Sequence, residues 1–209
     1  NVKIFTNKAI NKIHFDNNSI KYLETNTGEK IYADKYVFCI NEHISHFFNY
    51  PVLPICGLSW TFPSKKISNF NINCIVEGKH NIFYTRLLDK IRVTYGYFPN
   101  PNLKYILNNY QTIIPKFPFL YNECLTQKPS ICIRGVTPDG FPLIGKHKNI
   151  DNLYINSAHG FLGWTLSCYS AKLLSNIICN NEKDNLLSPN RFSLKHWFKA
   201  WTKTWQNSN

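Results

Sequence analysis

Two stretches toward the C-terminal end hold the residue types from which a ligand site can be built. They are Arg134-Gly-Val-Thr-Pro-Asp-Gly-Phe-Pro-Leu-Ile-Gly145 and His159-Gly-Phe-Leu-Gly-Trp-Thr165. Each sets glycines among a few polar side chains and adjoins an apolar run. The second opens a helix expected over Phe161 to Cys179. A helix start presents free backbone N–H groups that attract anionic or electron-rich ligand atoms, so Gly160, Phe161, Leu162, Gly163, Trp164 and Thr165 are candidate cofactor-binding positions. In the first stretch Arg134 ends an apolar strand, where a cation needs a partner: a ligand, or a loop carbonyl it caps. Thr137-Pro-Asp139 shapes a turn in which the Asp can accept loop N–H groups and Gly140 permits a positive φ. His159 is expected to be a buried, hydrogen-bonded histidine more than a proton shuttle.

The elements that must carry these residues follow from periodicity. Val2 to Phe5, Ile10 to Phe15, Ile20 to Thr25 and Lys30 to Ala33 read as strands separated by turns at Asp16–Ser19 and Asn26–Glu29. The pattern predicts a β-meander closed by a buried strand, Tyr36 to Ile40, then a short helix over Asn41 to Phe48. Cys56 to Phe62 and Cys74 to Glu77 follow, with a hairpin of Asn81–Arg86 and Lys90–Gly96, which implies an antiparallel sheet. A helix over Leu103 to Ile114 stops before Pro115. Short strands at Ile131–Arg134 and Asn152–Asn156 enter the two glycine stretches. The helix from Phe161 is apolar on most sides and is expected to be buried. The fold class is α+β, with an antiparallel section inserted between pieces of another unit. The divisions are 1–50, 51–130, 131–192 and a basic tail, 193–209.

Composition narrows the functional classes. At 209 residues, 44% hydrophobic and 15% aromatic, the chain can bury a core and is not a disordered segment. No apolar run is long enough to span a bilayer, and no signal peptide is visible at the start. Methionine is absent even at position 1, so the chain is expected to be a piece of something longer. The net charge of +12 comes from scattered lysines without a basic, aromatic-interleaved stripe before residue 191, which argues against a nucleic-acid partner. None of the seven cysteines falls in a Cys-x-x-Cys pair, which predicts no metal site and buried free thiols in a reducing, cytoplasmic setting.

Several segments, in order, resemble the FAD-dependent D-amino-acid oxidase superfamily, and within it the D-amino-acid dehydrogenases. They are Tyr32-Ala-Asp-Lys-Tyr-Val-Phe38, Leu53-Pro-Ile-Cys-Gly-Leu-Ser59, Thr85-Arg-Leu-Leu-Asp-Lys-Ile-Arg-Val93, Arg134–Gly145, Asn156–Leu174 and Ser188-Pro-Asn-Arg-Phe192. The resemblance implies a partial FAD-binding domain, with its meander and flavin-facing helix, and an inserted antiparallel-sheet substrate domain. It also implies oxidative deamination of a D-amino acid by hydride transfer from Cα to FAD, with electrons passed to a quinone-type acceptor. Rival readings are an amine, N-methyl amino-acid or glycine oxidase of the same superfamily, or a non-catalytic remnant or subunit that needs a second chain.

By the same resemblance Arg134 stands where related oxidases hold the substrate carboxylate, which suits the bidentate fork of a guanidinium. Gly160 to Thr165 would supply N–H groups to the flavin pyrimidine edge. Cys132 stands five positions before Thr137, where sarcosine oxidases carry the flavin covalently, and the alternative is a buried strand thiol. Tyr84, Tyr95 and Tyr97 sit on the substrate sheet without a distinguishing signal. Two features depart from the family pattern. Asn41 stands where a glycine is expected, and no Gly-x-Gly-x-x-Gly unit for the FAD pyrophosphate occurs in the sequence, family order placing it before residue 1. The chain alone is therefore expected to hold FAD weakly. In Leu194 to Trp205, Trp197, Trp201 and Trp205 share one helical face opposite Lys195, Lys199 and Lys203. That pattern fits peripheral contact with an anionic membrane on its inner face, and equally a stripe packed on the protein.

Overall fold

The computed structural model describes residues 2–64, 74–99 and 101–192. It divides into two compact units, one of residues 1–52 and 136–209 and the other of Leu53–Gly135. The predicted amphipathic tail at 194–205 lies outside the described residues.

The first unit holds a three-stranded antiparallel meander of β1 (Ile10–Asp16), β2 (Ser19–Thr25) and β3 (Lys30–Ile31). Asn17 takes the left-handed conformation in the β1–β2 turn, φ 50°, which an asparagine tolerates. Val2–Phe5 is not a strand, and its apolar residues Val2, Ile4 and Phe5 are exposed.

The expected closing strand is shorter, β4 (Tyr36–Phe38), and it does not close the meander. It runs parallel to β11 (Leu153–Ser157), which pairs antiparallel with β10 (Leu143–Lys146) to give the order β10-β11-β4. The pairing is decided by partners remote in sequence, which local alternation does not report. The Asn152 side chain joins the two sheets by accepting from Ile20 N at 2.8 Å and donating to Ile20 O at 2.9 Å.

Strands β10 and β11 bury residues on both faces. Leu143, Leu153 and Ile155 pack with Ile20, Phe38 and Ile44, the last from α1 (Ile44–Phe47), which follows a 3-10 turn at Asn41–His43. Ile144 and Tyr154, on the opposite pleat, pack with Leu174 and Ile177 of α4 (Gly163–Asn180). That stripe, with Ser170, is the buried part of α4. Trp164, Cys168 and Tyr169 are exposed, so the helix is amphipathic and not buried on most sides.

The second unit is a five-stranded sheet of order β6-β7-β8-β5-β9. Its strands are β5 (Leu53–Pro63), β6 (Cys74–Glu77), β7 (Ile82–Leu87), β8 (Lys90–Pro99) and β9 (Ser130–Val136). The hairpin expected from sequence is β7–β8, antiparallel with Leu87 opposite Lys90. Leu58, Trp60, Ile82, Tyr84, Ile91 and Val93 form one buried sheet face. That face is covered by α2 (Leu103–Ile113) through Ile106 and Tyr110, and by α3 (Tyr121–Thr126) through Cys124. Asn102 caps α2 by accepting from Tyr105 N at 3.0 Å, and Ile114 turns extended before Pro115. Neither β10 nor α3 is evident from periodicity; each is only one or two turns of the repeat long.

Candidate functional site

The site residues fall into two groups, one in each unit. In the sheet unit, Ile131 of β9 packs toward the helix-covered core. Alternation along a strand then puts Cys132 and Arg134 together on the other face. Gly57 of the neighbouring β5 shares that side: a Cβ built there would lie 2.4 Å from Arg134 Nη1. Burial pushes the Cys56 thiol up, the nearby Arg134 guanidinium pulls it down, and Cys132 adds to the rise.

Cys132 is exposed, not a buried strand thiol. Of the seven cysteines only Cys56 and Cys124 are buried; Cys39, Cys74, Cys132, Cys168 and Cys179 are exposed, and none is disulfide-bonded. Apolar neighbours in sequence do not guarantee burial in strands and helices that bury one face. Tyr84 is core: it is buried, its hydroxyl donates to Phe119 O at 3.2 Å, and burial pushes its phenol up to about 12. Tyr97 is half exposed, and burial raises both it and Tyr95.

In the mixed unit, the connection from β11 to α4 carries the second group. Ala158 and Gly160 are both left-handed, at φ 60° and 56°. For buried Ala158 this is a strained conformation of the kind found where a loop holds a ligand. The chain leaving the parallel partner β4 likewise passes through a left-handed residue, Asn41 at φ 51°. Ser157 Oγ ties the two ends together by donating to Phe38 O at 2.9 Å and accepting from Ile40 N at 3.2 Å. Crevices outside the carboxyl ends of parallel strands are where open α/β sheets bind ligands.

The helix begins at Gly163, so Gly160, Phe161 and Leu162 belong to the entry loop and Gly163, Trp164 and Thr165 form the first turn. No side chain caps this end. Phe161, Leu162 and Trp164 are 56%, 55% and 94% exposed, an apolar surface beside the helix N-terminus. His159 departs from expectation: its Nε2 is buried without a hydrogen-bond partner among the described residues, as is Asn156 Oδ1. Burial holds the His159 imidazole below its ordinary pKa.

Beside this loop lies the Thr137–Phe141 turn. Asp139 Oδ1 accepts from Thr137 Oγ1 at 3.0 Å and from Phe141 N at 3.1 Å, and Gly140 has φ 79°. Val136 Cγ2 is the nearest heavy atom, 3.8 Å away, to a Cβ built on Gly160. Sequence reasoning missed Arg191 here. Its Nε donates to Asp139 Oδ2 at 2.7 Å, and its Nη1 donates to the carbonyls of Pro142, Leu187 and Ser188. Burial alone would raise the Asp139 carboxyl, but the Arg191 hydrogen bonds and the turn's own donors bring it below its usual value.

An uncapped helix start, two buried polar atoms without partners and exposed apolar side chains fit the ring end of a flavin. Residues 1–177 match the family described as FAD dependent oxidoreductase. The chain belongs to that family. Its curated relatives include the D-amino acid dehydrogenase of Vibrio vulnificus (strain YJ016), 31% identical over 198 residues that cover 88% of this chain and 46% of the relative. The D-amino acid dehydrogenase of Azorhizobium caulinodans is 32% identical over 186 residues, covering 85% and 44%. The chain thus spans about half the length of the curated relatives it matches.

Solved structures share the fold. L-proline dehydrogenase from P. horikoshii superposes with TM-score 0.62 at 18% identity, covering 88% of this chain and 54% of the other. The L-amino acid deaminase from Proteus vulgaris superposes with TM-score 0.67 at 16% identity, covering 91% and 59%. Among the described residues no helix is long and apolar enough to cross a membrane, and no group of three or more His, Cys, Asp or Glu could hold a metal.

Proposed function

We propose that this chain forms the substrate sheet and the flavin-ring cradle of an FAD-dependent enzyme that oxidises D-amino acids and passes the electrons to a quinone-type acceptor. The observation that carries the substrate side is Arg134: a guanidinium on the sheet face opposite the core suits bidentate capture of a carboxylate. Such capture fixes the substrate Cα relative to the cofactor, which is the orientation that lowers the barrier. When bound, FAD supplies the acceptor for the hydride. The residues that would hold its ring are Gly160–Thr165. The helix start has no side-chain cap, and its dipole favours negative charge by about 0.3–1 kcal/mol if exposed and up to ~2 kcal/mol if partly buried.

The D specificity and the dehydrogenase acceptor are inferred from relatives named D-amino acid dehydrogenase at about 30% identity. Anaerobic mixing of the full-length holoenzyme with D- and L-amino acids tests the substrate class through loss of visible flavin absorbance. Reduction by D-amino acids is expected. Reduction only by glycine or an N-methyl amino acid would move the protein to the rival oxidases, and no reduction by any amine would leave a non-catalytic subunit.

Cys132 is a candidate thioether anchor for the flavin, favoured by its exposure on the Arg134 face of β9. Acid precipitation of the holoenzyme distinguishes the cases: a fluorescent pellet lost in Cys132→Ser supports the anchor, and a colourless wild-type pellet removes it. The tail of Leu194–Trp205 is proposed to touch an anionic membrane, bringing the enzyme near a quinone pool. Co-sedimentation with anionic liposomes that is unchanged by deleting residues 193–209 would sink that proposal.

A further inference from the structure

Gly57 and Arg134 lie on adjacent strands of the sheet unit, β5 and β9. A Cβ built on Gly57 meets three heavy atoms nearest to it, all from one group: Arg134 Nη1 at 2.4 Å, and Cζ and Nη2 at 3.3 Å. The guanidinium therefore occupies the volume that any other residue's side chain would fill. Gly57 does not have the positive φ that would require glycine for its backbone, so what glycine provides here is room. The register of β5 against β8 is interrupted between Cys56 and Leu58, across from Gly96 at φ 99°. Such interruptions bend a strand and re-aim what lies beside it.

We propose that Gly57 is a positioning residue for Arg134. Its bare backbone is the seat that sets the place and the fork direction of the guanidinium, and through it the place of a bound carboxylate. The inference rests on the reading of Arg134 as the carboxylate anchor. The size of the effect follows from the contact. To bring Nη1 from 2.4 Å to an ordinary 3.4 Å, the guanidinium must move by about 1 Å. The moving part is the far end of a flexible side chain, so the strands stay in place and the arginine yields. A displacement of that size at a carboxylate anchor can lower kcat/KM on the order of 100-fold, through weaker capture of the carboxylate. The bland alternative is that Gly57 only lets neighbouring backbones pack closely; damage from a methyl group would then be independent of residue 134.

The test is a double-mutant cycle in the full-length holoenzyme with Gly57→Ala, Arg134→Ala and both together. The readouts are KM and kcat for a D-amino acid, Kd for an aromatic monocarboxylate inhibitor, flavin content and melting temperature. Gly57→Ala is expected to raise KM and inhibitor Kd by roughly 10- to 100-fold with flavin content unchanged. In the Arg134→Ala background the same substitution is expected to change neither constant further. An equal effect of Gly57→Ala with and without Arg134, or no effect on KM and Kd, overturns the inference while leaving the carboxylate anchor standing. If Gly57→Ala does not fold, recovery of flavin-loaded protein in the double variant supports the seat, and failure of the double variant overturns it. If Arg134→Ala itself leaves KM and Kd at the wild-type values, the anchor reading fails and the inference falls with it.

Discussion

Arg191 and Asp139 form a two-point ion pair, Nε to Oδ2 at 2.7 Å and Nη2 to Oδ1 at 3.0 Å, across 52 residues of sequence. It joins the Ser188–Phe192 segment to the Thr137–Phe141 turn, and Arg191 Nη2 also donates to Phe141 O at 2.7 Å. Pro189 continues the contact, with its Cδ 3.1 Å from a Cβ built on Gly145. Two sequence motifs with no visible connection are thus one structural clamp, and the turn it holds lies beside Gly160.

Breaking the clamp should destabilise the mixed unit. Arg191→Ala removes charge-assisted hydrogen bonds to a half-buried carboxylate and several carbonyls. A loss of about 2–3 kcal/mol is expected in denaturant unfolding. Arg191→Lys should recover only part of it, because an ammonium lacks the planar fork. Asp139 has a lowered pKa, so its contribution is present above the unfolded carboxylate value and is lost as pH falls through the folded one.

Acid should weaken the fold earlier through two histidines. Burial lowers both His147 and His159 from 6.5, and His147 Nδ1 already accepts from Asn149 N at 3.0 Å. The unfolded chain therefore takes up protons more readily than the folded one. Stability is complete above 6.5 and declines as pH falls from there toward the folded values. Melting temperature measured against pH should show this decline, and His147→Asn should flatten part of it. A flat profile between about pH 7 and 5 would contradict the assignment.

The entry loop of α4 should tolerate no side chain at Gly160 without cost. The space is open, with nothing closer than 3.8 Å, but φ is 56°. Gly160→Ala should cost about 1–2 kcal/mol from backbone strain alone. In the full-length holoenzyme it should also lower the flavin content, measured as the flavin-to-protein absorbance ratio.

Tyr84→Phe separates core tyrosines from substrate contacts. Loss of its hydrogen bond to Phe119 O should cost about 0.5–1.5 kcal/mol in stability. KM for a D-amino acid should stay at the wild-type value, since the ring is fully buried among core residues.

The chain as it stands, residues 1–209, should bind FAD weakly, because its sequence contains no glycine fingerprint for the pyrophosphate. Isothermal titration with FAD should give no tight, stoichiometric isotherm.

Local chemistry in the sequence determined much of this protein. The β7–β8 hairpin, the Asn102 cap, the stop before Pro115 and the Asp139 turn are each written by neighbours within a few residues. So are the motifs that place the chain in its family. Tertiary structure decided what depends on remote partners. Alternation in Tyr36–Ile40 marks a strand but cannot say that it will pair with β11 and not with the meander. A helix from Phe161 that is apolar on most sides looks buried, yet its buried part is the stripe of Ser170, Leu174 and Ile177, with Leu173 and Ile178 partly covered beside it. Two relationships, Arg191 on Asp139 in one unit and Arg134 over Gly57 in the other, leave no periodic trace. A salt bridge and an absent side chain become meaningful only when the chain brings the other member within a few ångströms.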